Sequence, residues 1–319
     1  MVILVFIALL LIIVFAAYLL SRGAEVMAQI WGCNIVGSIV LALFTTLPEY
    51  AFVFWASMKN EYRMAIGSAI GSCTILITLG YGMVIWLATS KLSRKPVKEI
   101  RLSKATRIDA LYLLVTGVIA FVFVWGDNAL SLIEGIILAL IFGGYVFQVI
   151  RSGKSECVEN QVVTRKGMIR AAIELLAGGA IIYFASEPFV DSMIHIATFF
   201  HVSPVVIAIV LGPIASEMPE KLTAYMLVLK NGHNAELSIC NFIGSKVNHN
   251  SLLLAVMPFV AHFKGHDIVT NLMSPMFVMM SVLTVVVSAL LARGRLQKWQ
   301  GIGLVAAYIL AMVLAVEQS

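Results

Sequence analysis

Long apolar runs alternate with short polar segments along almost the whole chain. A run of about 20 apolar residues is long enough to cross a bilayer as a helix. The polar and apolar alternation that marks the strands of a transmembrane barrel is missing. The pattern therefore predicts an all-α membrane protein with ten transmembrane helices, at residues 2–20, 34–57, 65–89, 109–126, 129–150, 169–187, 203–229, 236–261, 269–292 and 299–316.

The polar segment 151–168 divides these helices into two groups of five. Because each group has an odd number of spans, the second group starts from the opposite side of the membrane. The halves 1–150 and 169–319 are therefore predicted to be inverted repeats within one structural unit, a construction common in secondary transporters. Within them, residues 34–89 and 203–261 carry the repeated motifs.

Composition agrees with the membrane assignment. Of the 319 residues, 61% are hydrophobic and 12% are charged, and the mean hydropathy is +0.97. A soluble domain is about half apolar and a quarter charged. We therefore expect an integral, multi-pass protein in contact with lipid, and we expect it to be a monomer. The four cysteines have no C-x-x-C spacing, which argues against a zinc site or a disulfide framework.

The net charge of +5 could suggest nucleic-acid binding, but the distribution of charge favours another explanation. Of the 22 Lys and Arg residues, 17 lie in connections on one side of the predicted helices and 3 on the other. By the positive-inside rule the basic side is cytoplasmic, so both termini are predicted to lie outside and the linker 151–168 inside. The basic loops then indicate topology rather than nucleic-acid binding, and a prokaryotic plasma membrane is the expected location.

One polar motif occurs twice inside apolar runs. It reads T-T-L-P-E at 45–49 and S-E-M-P-E at 216–220. Each copy is followed by a second matching piece, A-I-G-S-C at 69–73 and F-I-G-S-K at 242–246. A proline next to a glutamate at membrane depth is unfavourable, so its repetition indicates a function.

The chemistry of the motif favours a cation site. Proline leaves a helical carbonyl without its hydrogen-bond donor, and such a carbonyl is tolerated in a membrane only when it faces protein, water or an ion. An acidic residue costs roughly 2.5–3.5 kcal/mol at the bilayer centre. A cation between Glu49 and Glu220 would offset both costs, and the oxygen ligands suit calcium. The alternative is two proline kinks whose glutamates are protonated or pair with Lys221 or Lys246.

These motifs resemble the alpha-repeats of the cation/calcium exchanger superfamily, which includes sodium/calcium exchangers. In that family each half carries G-T-S-L-P-E followed by G-N-x-x-G-S-N. The resemblance extends over essentially the whole chain and implies alternating access. Position by position, it implies ion ligation by eight residues: Thr45, Thr46, Glu49, Ser72, Ser216, Glu217, Glu220 and Ser245.

The chain departs from the family pattern at several ligand positions. Glu217 stands where the second repeat of the family has a hydroxyl, and Cys73 and Lys246 replace the asparagines of G-S-N. Leu76 and His249 stand four residues beyond the two Gly-Ser serines, where the family has Asn or Asp. Lys246 could act as a tethered monovalent cation, and His249 could exchange protons. The alternatives are that Lys246 snorkels to the interface or pairs with Glu217, that His249 is a satisfied interior histidine, and that Glu217 faces solvent.

The leading hypothesis is a secondary antiporter that exchanges calcium or a similar divalent cation for sodium or protons at a midplane site. It needs no cofactor and no partner other than inorganic cations and the bilayer. The alternative is a divergent protein of the same fold that binds or senses a cation without transport. An enzyme is not expected, because the sequence has no H-E-x-x-H spacing, phosphate-binding glycine loop or nucleophile elbow.

Overall fold

The computed structural model describes residues 2–30, 43–151 and 164–317, and these are largely helical. Within these ranges, seven helical stretches are long and apolar enough to cross a membrane. The expected total of ten spans remains a prediction, and part of the predicted span 34–57 lies outside the described residues. The seven stretches are Val2–Ala24, Tyr62–Thr89, Lys104–Asp127, Leu132–Arg151, Arg165–Phe200, Pro275–Arg293 and Lys298–Ala315.

The first half contains six described helices and two short strands. The third long helix contains a π-helical turn, in which the backbone is wound more widely; this turn joins α3 to α4 within one continuous helix. In order, the elements are α1 (Val2–Ile30), α2 (Leu47–Met58), α3 (Tyr62–Ile75), the π-turn Leu76–Gly80, α4 (Tyr81–Thr89), β1 (Ile100–Arg101), α5 (Lys104–Asp127), β2 (Ala129–Ser131) and α6 (Leu132–Arg151).

The second half has the same order of elements. Its third long helix is again divided by a π-turn, which begins four residues after the serine of the second Gly-Ser motif. The elements are α7 (Arg165–Phe200), α8 (Pro204–Lys230), a 3₁₀ turn (Gly232–Asn234), α9 (Ala235–Asn248), the π-turn His249–Leu253, α10 (Leu254–Phe263), β3 (Ile268–Thr270), α11 (Pro275–Arg293), β4 (Arg295–Leu296) and α12 (Lys298–Glu317).

The short strands link the two halves. β1 pairs antiparallel with β4, with Ile100 opposite Leu296, and β2 pairs antiparallel with β3, with Leu130 opposite Val269. β1 precedes the fourth long helix of the first half, and its partner β4 precedes the fifth long helix of the second half. β2 precedes the fifth long helix of the first half, and its partner β3 precedes the fourth of the second. The two strand pairs therefore occupy equivalent places in the two halves.

The packing of α1 on α7 follows the same reciprocal pattern. A Cβ added to Gly23 would lie 2.8 Å from the carbonyl oxygen of Ala171, and one added to Gly178 would lie 2.9 Å from that of Ala16. Both glycines therefore allow the two backbones to approach closely, as small residues do in membrane helix pairs. Gly23 of α1 contacts Ala171 of α7, and Gly178 of α7 contacts Ala16 of α1, so the two helices contact each other in the same way.

Two helices are longer than their apolar runs predict. α1 continues past residue 20 because its polar segment is paired: the Arg22 guanidinium lies 3.1 Å from the Glu174 carboxylate on α7. α7 passes through Pro188 and continues to Phe200. Along this extension, Lys59 lies 2.9 Å from Asp191, so the charged residues that suggested a helix end instead connect neighbouring elements.

Candidate functional site

The first P-E motif starts a helix. Residues 43–45 are helical, Thr46 forms a turn, and α2 begins at Leu47 with Pro48 in its first turn. Proline is suited to this position because the first N–H groups of a helix have no intrahelical acceptor. Glu49 follows in the same turn, where the positive end of the helix dipole favours an anion. Its side chain is 2% exposed.

The second motif lies inside a helix. α8 runs without interruption from Pro204 to Lys230, through residue 219. A proline in a helix removes one hydrogen bond and often bends the helix without ending it. The two predicted breaks are therefore not alike, since a helix starts at the first motif and continues through the second.

Two carboxylates and an imidazole meet between these helices. One ligand atom from each of Glu49, Glu217 and His249 lies within 4.8 Å of the other two, and all three residues are buried. Both carboxylate oxygens of Glu49 have no hydrogen-bond partner among the residues that the structure describes. An unpaired buried carboxylate is costly, and a neighbouring carboxylate adds repulsion. A cation held by these oxygens would relieve both costs.

Glu217 already has a cationic partner. The Lys221 ammonium, one helical turn further along α8, forms an ion pair with the Glu217 carboxylate. Both side chains are buried, at 0% and 2% exposure, and the ammonium lies 5.4 Å from the centre of the Phe242 ring. The site therefore contains a fixed positive charge next to the carboxylate that faces Glu49.

His249 is held by α9. Its Nδ1 lies 2.6 Å from the carbonyl oxygen of Ser245, and its Nε2 lies 3.1 Å from a carboxylate oxygen of Glu217. The Ser245 hydroxyl is 3.5 Å from the same Nδ1. Because His249 starts the π-helical turn, the local change in helical winding sets the direction of its ring.

A small cavity adjoins Glu49, with room for about one water molecule. Ser68 and Ser216 line it together with Glu49, and its other walls are largely apolar. The Ser216 hydroxyl donates to the Gly212 carbonyl at 3.2 Å. On α3, the Ser72 hydroxyl is fully buried and has no partner among the described residues. The surroundings thus supply neutral oxygens next to the carboxylates.

The remaining predicted site residues lie in different surroundings. Glu220 accepts a hydrogen bond of 2.6 Å from the Asn241 amide and is not a member of the three-residue cluster. The Lys246 ammonium donates to the Asn250 side-chain oxygen at 2.7 Å and lies 3.1 Å from the Met280 sulfur. Two further predicted ligands, Thr45 and Thr46, are buried at the start of α2.

Two features of the site were not predicted as ligand or partner positions. The pairing of Glu217 with Lys221 was not predicted, since the alternative considered for Lys221 was a pair with Glu49 or Glu220, although a spacing of four residues places Glu217 and Lys221 on one helix face. The Tyr50 hydroxyl, next to Glu49, donates to the Asn248 side-chain oxygen at 2.5 Å. This second contact joins residues 198 positions apart, and no local sequence signal indicates it.

Long apolar helices that enclose buried acidic side chains are typical of membrane proteins that move cations. The chain belongs to the sodium/calcium exchanger protein family, whose sequence pattern matches residues 1–151 and 171–316. The predicted membership of the cation/calcium exchanger superfamily is thereby confirmed. Because this is a family of exchangers, its match supports a multi-pass membrane protein that transports cations by antiport.

Similar proteins extend over most of the chain. It is 27% identical over 292 residues to an uncharacterized membrane protein of Methanocaldococcus jannaschii, with 91% of this chain and 90% of the relative covered. It is 25% identical over 259 residues to inner membrane protein YrbG of Escherichia coli, with 77% and 76% covered. It is 24% identical over 238 residues to the putative antiporter CaxA of Alkalimonas amylolytica, with 71% and 70% covered.

Two solved structures share the fold. The H⁺/Ca²⁺ exchanger CAX aligns with a TM-score of 0.80 at 17% identity, covering 100% of this chain and 86% of that protein. The sodium-calcium exchanger NCX_Mj aligns with a TM-score of 0.67 at 23% identity, covering 98% and 99%. These alignments show the exchanger fold.

Proposed function

We propose that this protein is a secondary antiporter that moves calcium or a similar divalent cation in exchange for sodium or protons. The observation that carries the proposal is Glu49, whose two buried oxygens lack partners among the described residues and lie beside Glu217 and His249. Carboxylate and hydroxyl oxygens are ligands that calcium prefers. The two solved structures that share the fold, an H⁺/Ca²⁺ exchanger and a sodium-calcium exchanger, support this class of cargo.

Alternating access between two inverted repeats is the proposed mechanism. The equivalent π-turns, the two strand pairs and the reciprocal glycine contacts of α1 and α7 support such repeats. In this arrangement one group of helices moves against the other around a site at the membrane midplane. The Glu49 cluster, contributed by α2, α8 and the π-turn after α9, lies where the two halves meet.

A flux assay tests the proposal. Purified protein in liposomes should accumulate radiolabelled calcium when a sodium gradient or a pH gradient is imposed, and the two gradients are applied separately. Glu49→Gln should reduce uptake to the level of empty liposomes, because it removes the unpartnered carboxylate. Glu99→Gln is the matched control, since Glu99 pairs with Arg101 at 2.7 Å outside the cluster. Uptake that needs no gradient and persists in Glu49→Gln would refute antiport through this site.

A cation-binding protein without transport activity is the second candidate. It is favoured by one observation, the fixed ammonium of Lys221 next to Glu217, which reduces the negative charge available to a mobile cation. Under this alternative, calcium would raise the melting temperature of the purified protein, but no gradient would drive uptake. The same liposome preparation therefore distinguishes the two functions.

A further inference from the structure

Lys221 is held in a fixed position inside the site. Its side chain is fully buried, its ammonium pairs with Glu217, and the Phe242 ring lies 5.4 Å away. Its stem passes Gly80 of the first π-turn, where an added Cβ would lie 3.5 Å from the Lys221 Cε. The stem is therefore enclosed by elements from both halves, and the ammonium stays beside Glu217.

A second buried lysine provides a contrast. Lys246 is also 0% exposed, but no described carboxylate lies within 4.0 Å of its ammonium. It contacts a neutral amide oxygen of Asn250 and the Met280 sulfur instead. Burial alone therefore does not distinguish the two lysines. What distinguishes Lys221 is its contact with a carboxylate of the cluster.

We propose that the Lys221 ammonium is a built-in cation that permanently fills one monovalent-cation position of the site. An ammonium and a small monovalent ion carry the same charge and both neutralise a carboxylate. Lys221 neutralises Glu217, which leaves Glu49 as the carboxylate available to a mobile cation. The site then takes up one mobile cation fewer than its two carboxylates would otherwise accept. This inference deepens the proposed function, because it concerns the same site.

The test removes the ammonium and offers a free ion in its place. Lys221→Met keeps most of the side-chain volume and removes the ammonium from Glu217, which keeps the His249 imidazole at 3.1 Å. Melting temperatures are measured in calcium-free buffer with EGTA, in sodium chloride and in choline chloride of equal concentration, since choline is too large to enter. Sodium should raise the melting temperature of Lys221→Met by about 2–4 °C more than that of the wild type, as expected for an ion at roughly tenfold over its Kd.

Two further variants make the result specific. Lys246→Met should show no gain in sodium dependence, because no carboxylate among the described residues lies within 4.0 Å of the Lys246 ammonium. The double variant Glu217→Gln/Lys221→Met should lose the gain, because neither charge remains. If Lys221→Met does not fold in choline, the proposal predicts that it is recovered when purified in sodium, whereas failure to fold in both salts overturns it.

Other outcomes would also overturn the assignment. These are an unchanged sodium response in Lys221→Met, an equal gain in Lys246→Met, or a gain that persists in the double variant. The measurement uses no calcium and no flux, so it is independent of the transport assay. A protein without antiport activity could still show the sodium gain, and an active antiporter could lack it.

Discussion

The tightest helix crossing near the site makes Gly71 the most sensitive position for a small substitution. A Cβ added there would lie 2.3 Å from the carbonyl oxygen of Ile209 on α8 and 2.9 Å from its Cα. The obstacle is backbone, which cannot rotate away as a side chain can. We therefore expect Gly71→Ala to force α3 and α8 apart.

The size of the effect follows from this distance. Ordinary van der Waals contact begins at 3.4 Å, so α8 must move by about 1.1 Å. Overpacking typically costs about 1–3 kcal/mol. A clash with backbone belongs at the upper end, near 3 kcal/mol, and the better helix propensity of alanine returns up to about 1 kcal/mol. We expect a net destabilisation of about 2 kcal/mol.

The repeat supplies a matched control. Gly244 is the counterpart of Gly71 in the second Gly-Ser motif, and its added Cβ would meet only the Tyr145 hydroxyl, at 3.7 Å. Gly244→Ala should therefore gain up to about 1 kcal/mol from helix propensity alone. Thermal unfolding in detergent should place Gly71→Ala below Gly244→Ala by about 6–10 °C. Equal melting temperatures would refute the close crossing of α3 and α8.

Two further predictions concern charged residues. Glu217→Gln should lower gradient-driven calcium uptake as far as Glu49→Gln does, because it leaves the buried Lys221 ammonium without its carboxylate and next to the cation site. Glu220→Gln should keep more than about half of the uptake, since its Gln oxygen can still accept from Asn241; equal losses in initial rate would contradict this. The hydrogen bond to Asp191 raises the pKa of Lys59 above its usual 10.5. The stabilisation of the folded protein by this pair is therefore present below pH 10.5 and is lost at higher pH, as Lys59 loses its proton. Between pH 8 and pH 12, the melting temperature of the wild type should therefore fall more steeply at the alkaline end than that of Asp191→Asn.

Much of the fold was accessible from the sequence because membrane helices must be long and apolar. The repeated P-E and Gly-Ser motifs indicated the elements that meet at the site, and Glu49 lies in it. The ends of α1 and α7 were not predicted, because the apolar runs stop before Arg22 in the first helix and before Pro188 in the second. The partners of Arg22 and Asp191 lie on other elements, and hydropathy along one segment carries no information about them.

The choice between Glu217 and Glu220 shows a different limit. Alignment of the two motifs pairs Glu49 with Glu220, and a symmetric site was expected from it. The structure groups Glu49 with Glu217, which was also among the eight predicted ligands, while Glu220 accepts a hydrogen bond from Asn241. Residues three positions apart on a helix are close neighbours, so a small difference in the helix decides which carboxylate faces the centre. The first motif starts a helix and the second lies inside one, and the motif itself does not specify this difference.

The contrast between backbone and charge suggests how the site differs between the two halves. The π-turns, strand pairs and glycine contacts recur in both halves, so the backbone framework is nearly symmetric. The charged groups are not symmetric: the first half contributes Glu49, whose oxygens have no hydrogen-bond partner within the described ranges, whereas the second contributes Glu217 paired with Lys221. Under the proposed alternating access, we infer that the recurring framework provides the movement and the asymmetric charges provide the selectivity. Substitutions at Lys221 should then change which cations bind, whereas substitutions at Gly71 should change whether the helices pack at all.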